Sequence, residues 1–401
     1  MNEAIINEIL EKEHTPLYVF NIGKLKQRVR LLREGLPKGA ELCYAVKANP
    51  FLAAALTDQV EWMEICSPGE LRICRKLEIP EKKFVVSGVY KDASTMKNLL
   101  EEKKQVGYYT VESAGQFTML RNMAERFQKK IPLILRLTSG NQFGLDEYEL
   151  AELVRLYKND RWVEICGLQY FSGTQKSSLK KLSREIRNVD NYLTGLEQMY
   201  DFKMPKLEFG PGLPVPYFEG ESLNESEFLE EFSLLLSEMR YNGAITLEVG
   251  RSIAASCGTY LTQVVDTKRN HGENYAIVDG GMHQMVYYGQ SMAMKHPHFS
   301  VFPVHPTGEE QEWNICGSLC TINDFLVKKV PLPGLQKGDI LAFENAGAYC
   351  MTEGISLFLS RDLPAVALLD ENGNYSLVRE HTAIDELNMP QYKKKKGERK
   401  L

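Results

Sequence analysis

The window Glu41-Leu42-Cys43-Tyr44-Ala45-Val46-Lys47-Ala48-Asn49-Pro50 ends an apolar run in a lysine, and Asn-Pro then closes it as a turn. A lysine at the end of a buried strand is poorly solvated, so it either snorkels to water or has its pKa lowered. In the second state Lys47 can form a Schiff base with a carbonyl, the link that holds pyridoxal phosphate (PLP) in many enzymes. Two more windows, Glu208-Phe209-Gly210-Pro211-Gly212-Leu213 and Glu248-Val249-Gly250-Arg251-Ser252, follow apolar runs with glycine. Glycines there let backbone N–H groups approach a phosphate, although each loop alone also fits an ordinary turn. Arg251 and Ser252 add a cation and a hydroxyl. Glu248 stands where a carboxylate could pair with a protonated pyridine nitrogen and keep the cofactor an electron sink.

Further candidates lie elsewhere in the chain. Glu64 closes a short apolar run, and Phe171 follows another in Gly167-Leu168-Gln169-Tyr170-Phe171-Ser172-Gly173-Thr174-Gln175. A ring there could stack on a cofactor face or simply fill core. Cys316-Gly317-Ser318-Leu319-Cys320-Thr321-Ile322-Asn323-Asp324 puts a cysteine in a Gly/Ser turn before a strand, where a structural thiol is equally open. Glu344-Asn345-Ala346-Gly347-Ala348-Tyr349 presents a hydroxyl able to reach a phosphate.

The elements that position these groups follow from periodicity. An opening helix, a strand at Leu17–Phe20 and a basic helix at Lys24–Glu34 come first. Eight strand-like runs then alternate with helical patterns: Leu42–Val46, Trp62–Ile65, Phe84–Val86, Val106–Thr110, Ile131–Leu137, Val163–Tyr170, Lys206–Phe209 and Ala244–Glu248. The helical stretches include Ala93–Lys103, Ala114–Gln128, Leu179–Met199 and Glu225–Tyr241. A doubly wound sheet shows the same alternation, but eight units favour an α/β fold built on a (β/α)8 TIM barrel. Such barrels carry their sites at the C-terminal strand ends, with phosphate often held after strands seven and eight. Lys47 after strand one and the two glycine loops then become neighbours.

After Arg251 the pattern turns to strands joined by Gly, Pro and Asp: Tyr260–Val265, Tyr275–Val278, Phe325–Val330, Ile340–Phe343, Val366–Leu369 and Tyr375–Val378. This predicts a second, β-rich domain of sandwich or barrel-like form. The expected division is a PLP-binding barrel over 22–255, a β domain from 1–21 and 256–390, and a basic tail at 391–401.

The 401 residues can bury two cores, and a net charge of -5 gives no sign of a nucleic-acid partner. The tail Lys393-Lys394-Lys395-Lys396, with Arg399 and Lys400, reads as a solvated end. No run reaches membrane-spanning length and no signal peptide is evident. The eight cysteines form no paired CxxC set, so a zinc ribbon or other metal site and a disulfide framework are not expected. A reducing cytoplasm fits best.

With these pieces in order, the sequence resembles the fold-type III PLP-dependent decarboxylases, the alanine-racemase-like group that includes diaminopimelate and ornithine decarboxylases. The resemblance runs from about Thr15 to about Leu369. YAVKANP is similar to the Schiff-base lysine motif, EICSPGEL to the segment after strand two, and EFGPG to the phosphate loop, with Pro211 for its middle glycine. LEVGR is similar to Glu-Pro-Gly-Arg, GSLCTIND to the cysteine motif and ENAGAY to a phosphate-contacting tyrosine motif. The resemblance implies that Lys47, Glu64, Arg136, Phe171, Gly210, Gly212, Glu248, Gly250, Arg251 and Tyr349 bind PLP. It implies Cys320 as general acid and Lys47 and Glu248 as catalytic groups. It also implies a homodimer in which the cysteine loop of one subunit completes the other's site, so that Cys320 and Asp324 would act on the partner's PLP.

Three departures bear on substrate. Phe171 stands where the family usually has histidine. Thr321 stands where an acid usually meets the substrate's distal amine. Tyr287, after Asp279-Gly280-Gly281-Met282-His283, stands where diaminopimelate enzymes carry a carboxylate-binding arginine. Thr321, Asp324 and Tyr287 are the substrate-binding candidates, and the expected substrate is a small amino acid, modified or carrier-linked, rather than meso-diaminopimelate or ornithine. The alternatives are an amino-acid racemase of the same fold, which Glu248 disfavours, and a non-catalytic PLP-binding or regulatory homologue.

Overall fold

The computed structural model describes residues 3–102, 105–304 and 310–390. The basic tail at 391–401 and Lys103 lie outside the described residues. The chain divides into two compact units, Lys24–Pro216 with Ser222–Ala255, and Met1–Gly23 with Tyr217–Glu221 and Ser256–Leu401.

The chain opens with α1 (Glu3–Leu10), β1 (Leu17–Asn21) and α2 (Ile22–Gly35). Eight parallel strands of the first unit then close into a barrel: β2 (Glu41–Ala45), β3 (Trp62–Ile65), β4 (Phe84–Val86), β5 (Tyr108–Val111), β6 (Ile131–Leu137), β7 (Val163–Phe171), β8 (Lys206–Gly210) and β9 (Ala244–Val249). The TIM barrel expected from eight strand–helix units is present. Between strands run α3 (Ala53–Leu56), α4 (Pro68–Lys76), α5 (Ala93–Glu101), α6 (Ala114–Arg126), α7 (Glu147–Tyr157), α8 (Leu179–Tyr200) and α9 (Glu225–Ser237), and α10 (Arg251–Ala254) follows β9.

The barrel interior follows from the two-residue period of a strand, which sends alternate side chains to one face. Cys43, Val85 and Ile134, from the alternate strands β2, β4 and β6, make an apolar interior layer. On β8 the same period gives Lys206, Glu208 and Gly210, and on β9 it gives Thr246 and Glu248, with Gly250 just beyond the strand. Lys206 Nζ donates to Glu41 Oε2 at 2.8 Å, and Trp62 Nε1 and Thr246 Oγ1 donate to the same oxygen at 2.7 and 2.9 Å. This ion pair satisfies the charge one layer below Glu208, so the next charged layer is free to do something else.

The second unit is a mixed sheet of β1, β10 (Gly258–Asn270), β11 (Glu273–Val278), β12 (Phe299–Phe302), β13 (Gln311–Cys316), β14 (Phe325–Leu332), β15 (Ile340–Phe343), β16 (Ala365–Leu369) and β17 (Tyr375–Arg379). The strands run β14-β13-β11-β10-β1-β16-β17, with β15 pairing β10 and β12. Ile6 and Ile9 of α1 bury against Leu17, Val19, Leu261 and Ala367 of this sheet. A one-turn helix, α11 (Asp385–Asn388), closes the described chain. Strands β12 and β13 were not expected from the sequence: β12 is only four residues long, and β13 opens with two exposed polar residues.

Candidate active site

Lys47 sits in a single 3-10 turn, Val46–Ala48, immediately beyond β2. Asn49 fixes that turn from below. Its side chain accepts from Phe51 N at 3.0 Å, and its carbonyl accepts from the Tyr44 hydroxyl at 3.0 Å. Lys47 Nζ donates to Glu64 Oε2, and lies 3.3 Å from Glu248 Oε1 and 3.6 Å from Cys66 Sγ. The lysine side chain keeps 38% of its surface exposed, against 3% for Glu64 and 9% for Glu248. An amine open on one side and held by two buried carboxyl groups on the other can be reached by a carbonyl compound.

The register explains this meeting. Ala45 on β2 pairs with Glu64 on β3, and Cys43 pairs with Glu248 on β9, so both carboxyl groups flank the strand that delivers Lys47. Burial pushes Glu248 above the usual carboxylate range, with the Glu64 charge adding to it. Burial would also raise Glu64, but Lys47 overrides it and holds that group low. A buried pair next to one cation settles this way, with one member ionised and one keeping its proton.

The segment after β3 is held by a reciprocal helix cap. Ser67 Oγ accepts from Glu70 N at 3.1 Å, and Glu70 Oε2 accepts from Cys66 N at 2.7 Å. The loops after β7, β8 and β9 are tied into one rim. Lys176 N donates to Gly212 O at 2.8 Å, Gln175 and Val215 exchange hydrogen bonds at 2.7 and 2.9 Å, and Arg251 Nε reaches Thr174 Oγ1 at 3.3 Å. Arg251 is buried, and Gly250 O accepts from Ala254 N at 3.0 Å to open α10.

Two glycines of the rim are sterically required. A Cβ on Gly210 would lie 2.4 Å from Phe171 Cδ2. Gly212 has φ +59°, and a Cβ there would lie 2.1 Å from Gly173 O. The half-buried Phe171 ring thus lies against the bare backbone of the β8 loop. A reachable amine, a deep carboxyl that keeps its proton and a glycine cradle together fit PLP, which needs an anchor, a partner for its ring nitrogen and close backbone N–H groups.

A sequence model described as "Pyridoxal-dependent decarboxylase, C-terminal sheet domain" matches residues 17–347. The chain belongs to the pyridoxal-dependent decarboxylase family. It is 26% identical to an "L-glutamyl-[BtrI acyl-carrier protein] decarboxylase" of Niallia circulans, covering 96% of both chains. It is 27% identical to the diaminopimelate decarboxylase of Aquifex aeolicus, covering 96% of this chain and 93% of that one. A crystal structure of an Aquifex aeolicus protein superposes with a TM-score of 0.81 at 26% identity over 95% of this chain and 93% of that one. The Helicobacter pylori diaminopimelate decarboxylase complexed with L-lysine shares the fold, with a TM-score of 0.83 at 24% identity, covering 95% of this chain and 98% of that one. This decarboxylase is therefore a PLP-dependent carboxy-lyase acting on an amino acid or its derivative. Among its described residues no helix is long and apolar enough to cross a membrane.

The remaining sequence candidates are placed as follows. Arg136 on β6 donates to Glu112 Oε2 at 3.1 Å and covers the Phe143 ring. In the second unit Cys320 is exposed on the turn between β13 and β14, and Thr321 beside it is half-buried. Asp324 is 3% exposed and fully engaged with backbone, its oxygens accepting from Met282 N and Leu319 N at 2.8 Å each. It shapes the cysteine turn from inside. Tyr287 is buried against Tyr217 and Phe218, and its hydroxyl donates to Glu344 O at 2.5 Å. That ring fills core. Tyr349 is half-buried with φ +64°, and its carbonyl accepts from Thr352 N and Glu353 N.

Sequence reasoning gave no role to Gln169 or Glu208, which the structure joins to Glu248. The available signal was a polar residue at an inward position of an otherwise apolar strand, as in Leu168-Gln169-Tyr170 and Leu207-Glu208-Phe209.

Proposed function

We propose that this enzyme decarboxylates an amino acid whose distal group carries no free charge, with a carrier-linked glutamyl group as the leading candidate. The meeting of Lys47 with Glu64 and Glu248 under a glycine rim carries the assignment of roles. PLP, when bound, supplies the electron sink for the charge left at Cα as the carboxylate departs. Lys47 would hold the cofactor through Nζ and give way there to the substrate amine. Glu248 would hold a proton at the ring nitrogen. Glu64 stays ionised and keeps the Lys47 amine directed at the site. Gly210, Gly212, Gly250 and Arg251 would hold the phosphate, Arg136 holds Glu112 at the barrel mouth, and Phe171 would lie against the cofactor face. Cys320 returns a proton to Cα as general acid.

The substrate assignment rests on which charges are missing. Thr321 offers no carboxylate to a distal ammonium group, and Tyr287 offers no cation to a distal carboxylate. A site without that partner leaves the charge unpaired and rejects such substrates. A glutamyl group joined to a carrier through its side-chain carboxyl has a free α-carboxylate and an uncharged distal end. The Niallia circulans relative is named for such a conjugate. The working assembly is a homodimer in which each Cys320 turn serves the partner's barrel.

Release of carbon dioxide from a panel tests this. The panel holds L-glutamate on a phosphopantetheinylated acyl-carrier protein, free L-glutamate, L-ornithine, L-lysine and meso-diaminopimelate. The carrier conjugate is turned over fastest. Rapid turnover of ornithine or diaminopimelate would overturn the substrate assignment and leave the cofactor site standing.

A further inference from the structure

Glu208 has no place in the roles above, yet it lies in the polar interior of the barrel. It is 1% exposed, and its Oε1 accepts from Gln169 Nε2 at 2.7 Å. The same amide nitrogen donates to Glu248 Oε2 at 3.3 Å. Gln169 is also 1% exposed, and its Oε1 is buried with no hydrogen-bond partner. The amide is therefore hydrogen-bonded only through its amino group, which spans two carboxyl groups. Glu248 already keeps its proton, but the ionised Glu64 also faces this dry interior, and a proton on Glu208 as well avoids a second buried charge there.

We propose that Glu208 is a positioning residue for Glu248: it carries a proton and, through Gln169, fixes the direction in which Glu248 presents its carboxyl group. This rests on the role given to Glu248 at the ring nitrogen. Without Glu208, one of the two hydrogen bonds that orient the Gln169 amide is lost. Because its carbonyl end is not anchored, the amide can then rotate away from Glu248. The register supports the relay. Gln169 pairs with Glu208 across β7 and β8, and Glu208 pairs with Thr246, two residues before Glu248 on β9.

The surroundings keep Glu208 neutral. Burial is the main cause, the Glu64 charge adds to it, and together they push Glu208 up to about 7 although the Gln169 hydrogen bond, Lys206 and Lys47 all pull the other way. The groups facing it are Lys47 after β2, Glu64 on β3, Glu248 on β9 and Lys206 on its own strand, with the uncharged Cys43 on β2 and Tyr108 on β5. Lys206 is already paired with Glu41, so no free cation remains on β8 to draw the proton off.

Infrared difference spectra of the cofactor-free protein, taken between about pH 5 and pH 9, report this proton without any turnover. Two protonated-carboxyl C=O components should titrate in the wild type, one at about 7 from Glu208 and one at about 8 from Glu248, and Glu208→Gln should lose the first and keep the second. In the loaded enzyme, Glu208→Ala should lower kcat on the order of tenfold with KM little changed, as expected when a positioning hydrogen bond is lost. Glu208→Gln, neutral and of the same shape, should rescue most of that loss. Glu208→Gln no better than Glu208→Ala would show that an ionised Glu208 is needed, and would overturn the proposal. Both carboxyl components unchanged in Glu208→Gln would overturn it too. Glu248→Gln, assayed alongside, judges the Glu248 role separately, because the Glu208 component does not depend on the cofactor.

Discussion

Lys47 Nζ lies 3.3 Å from Glu248 Oε1, although 201 residues separate them in the chain. The two meet because the first and last strands of a closed barrel are neighbours, and the Cys43–Glu248 register sets Glu248 beside the strand that ends at Lys47. Glu64, on the other flank, takes the ionised role, which leaves Glu248 the proton.

Glu248→Gln should retain PLP and lose decarboxylation by on the order of a hundredfold or more, the usual cost of removing one preorganised electrostatic partner. Steady-state kinetics beside the absorbance of the bound cofactor measure both properties in one preparation. Activity within a fewfold of wild type would mean that Glu248 is structural.

Gly212→Ala should weaken PLP binding. Its φ of +59° and the 2.1 Å approach to Gly173 O leave no room for a methyl group, so two loops of the rim must move. Backbone strain of this kind costs about 1–3 kcal/mol, which corresponds to roughly fivefold to 150-fold in affinity. A fluorescence titration with PLP measures it, and an affinity within about twofold of wild type would remove this loop from the phosphate site.

Stability of the cofactor-free protein should fall as pH rises. Glu208 holds its proton up to about 7 in the folded chain against an ordinary 4.5. A carboxyl raised this way contributes its full stability below about 4.5, and that contribution is lost as the pH climbs through about 7. Glu64 is shifted the other way, so its contribution is lost only on acidification below the ordinary carboxyl range. Glu248, pushed up to about 8 by burial, adds a loss of the same sign. Thermal unfolding between about pH 5 and pH 8 should therefore show a declining Tm, and Glu208→Gln should make the decline shallower while leaving the part that Glu248 contributes. A Tm that rises over that interval contradicts the protonated interior.

The barrel was legible because each strand is a short apolar run bounded by a turn, and eight of them alternate with helices. The glycine loops and Lys47 were legible because they stand at strand ends, where side chains that do chemistry collect. The Gln169–Glu208–Glu248 connection was not, since a polar residue inside a strand does not announce its partner on the next one. Asp324 looked like a substrate ligand by position, but both its oxygens serve backbone N–H groups, which depends on how the turn folds back on itself. Tyr287 was read as facing substrate, and the aromatic cluster that buries it includes Tyr217, about 70 residues away in the chain.

Mixing Lys47→Ala and Cys320→Ala chains tests the shared-site dimer. Each variant alone should be nearly inactive. After subunit exchange, half of the dimers are mixed, and each carries one site with both defects and one with neither, so about a quarter of the wild-type activity returns. Exchange confirmed by mass with no activity regained would place Cys320 in its own chain's site.

Borohydride reduction of the PLP-loaded protein, followed by peptide mapping, tests the central assignment most directly. The cofactor should be fixed to one peptide, at Lys47, and Lys47→Ala should abolish both the label and the visible absorbance. Label on another lysine such as Lys91 or Lys176, or an unchanged chromophore in Lys47→Ala, would contradict the site built around Lys47, Glu64 and Glu248.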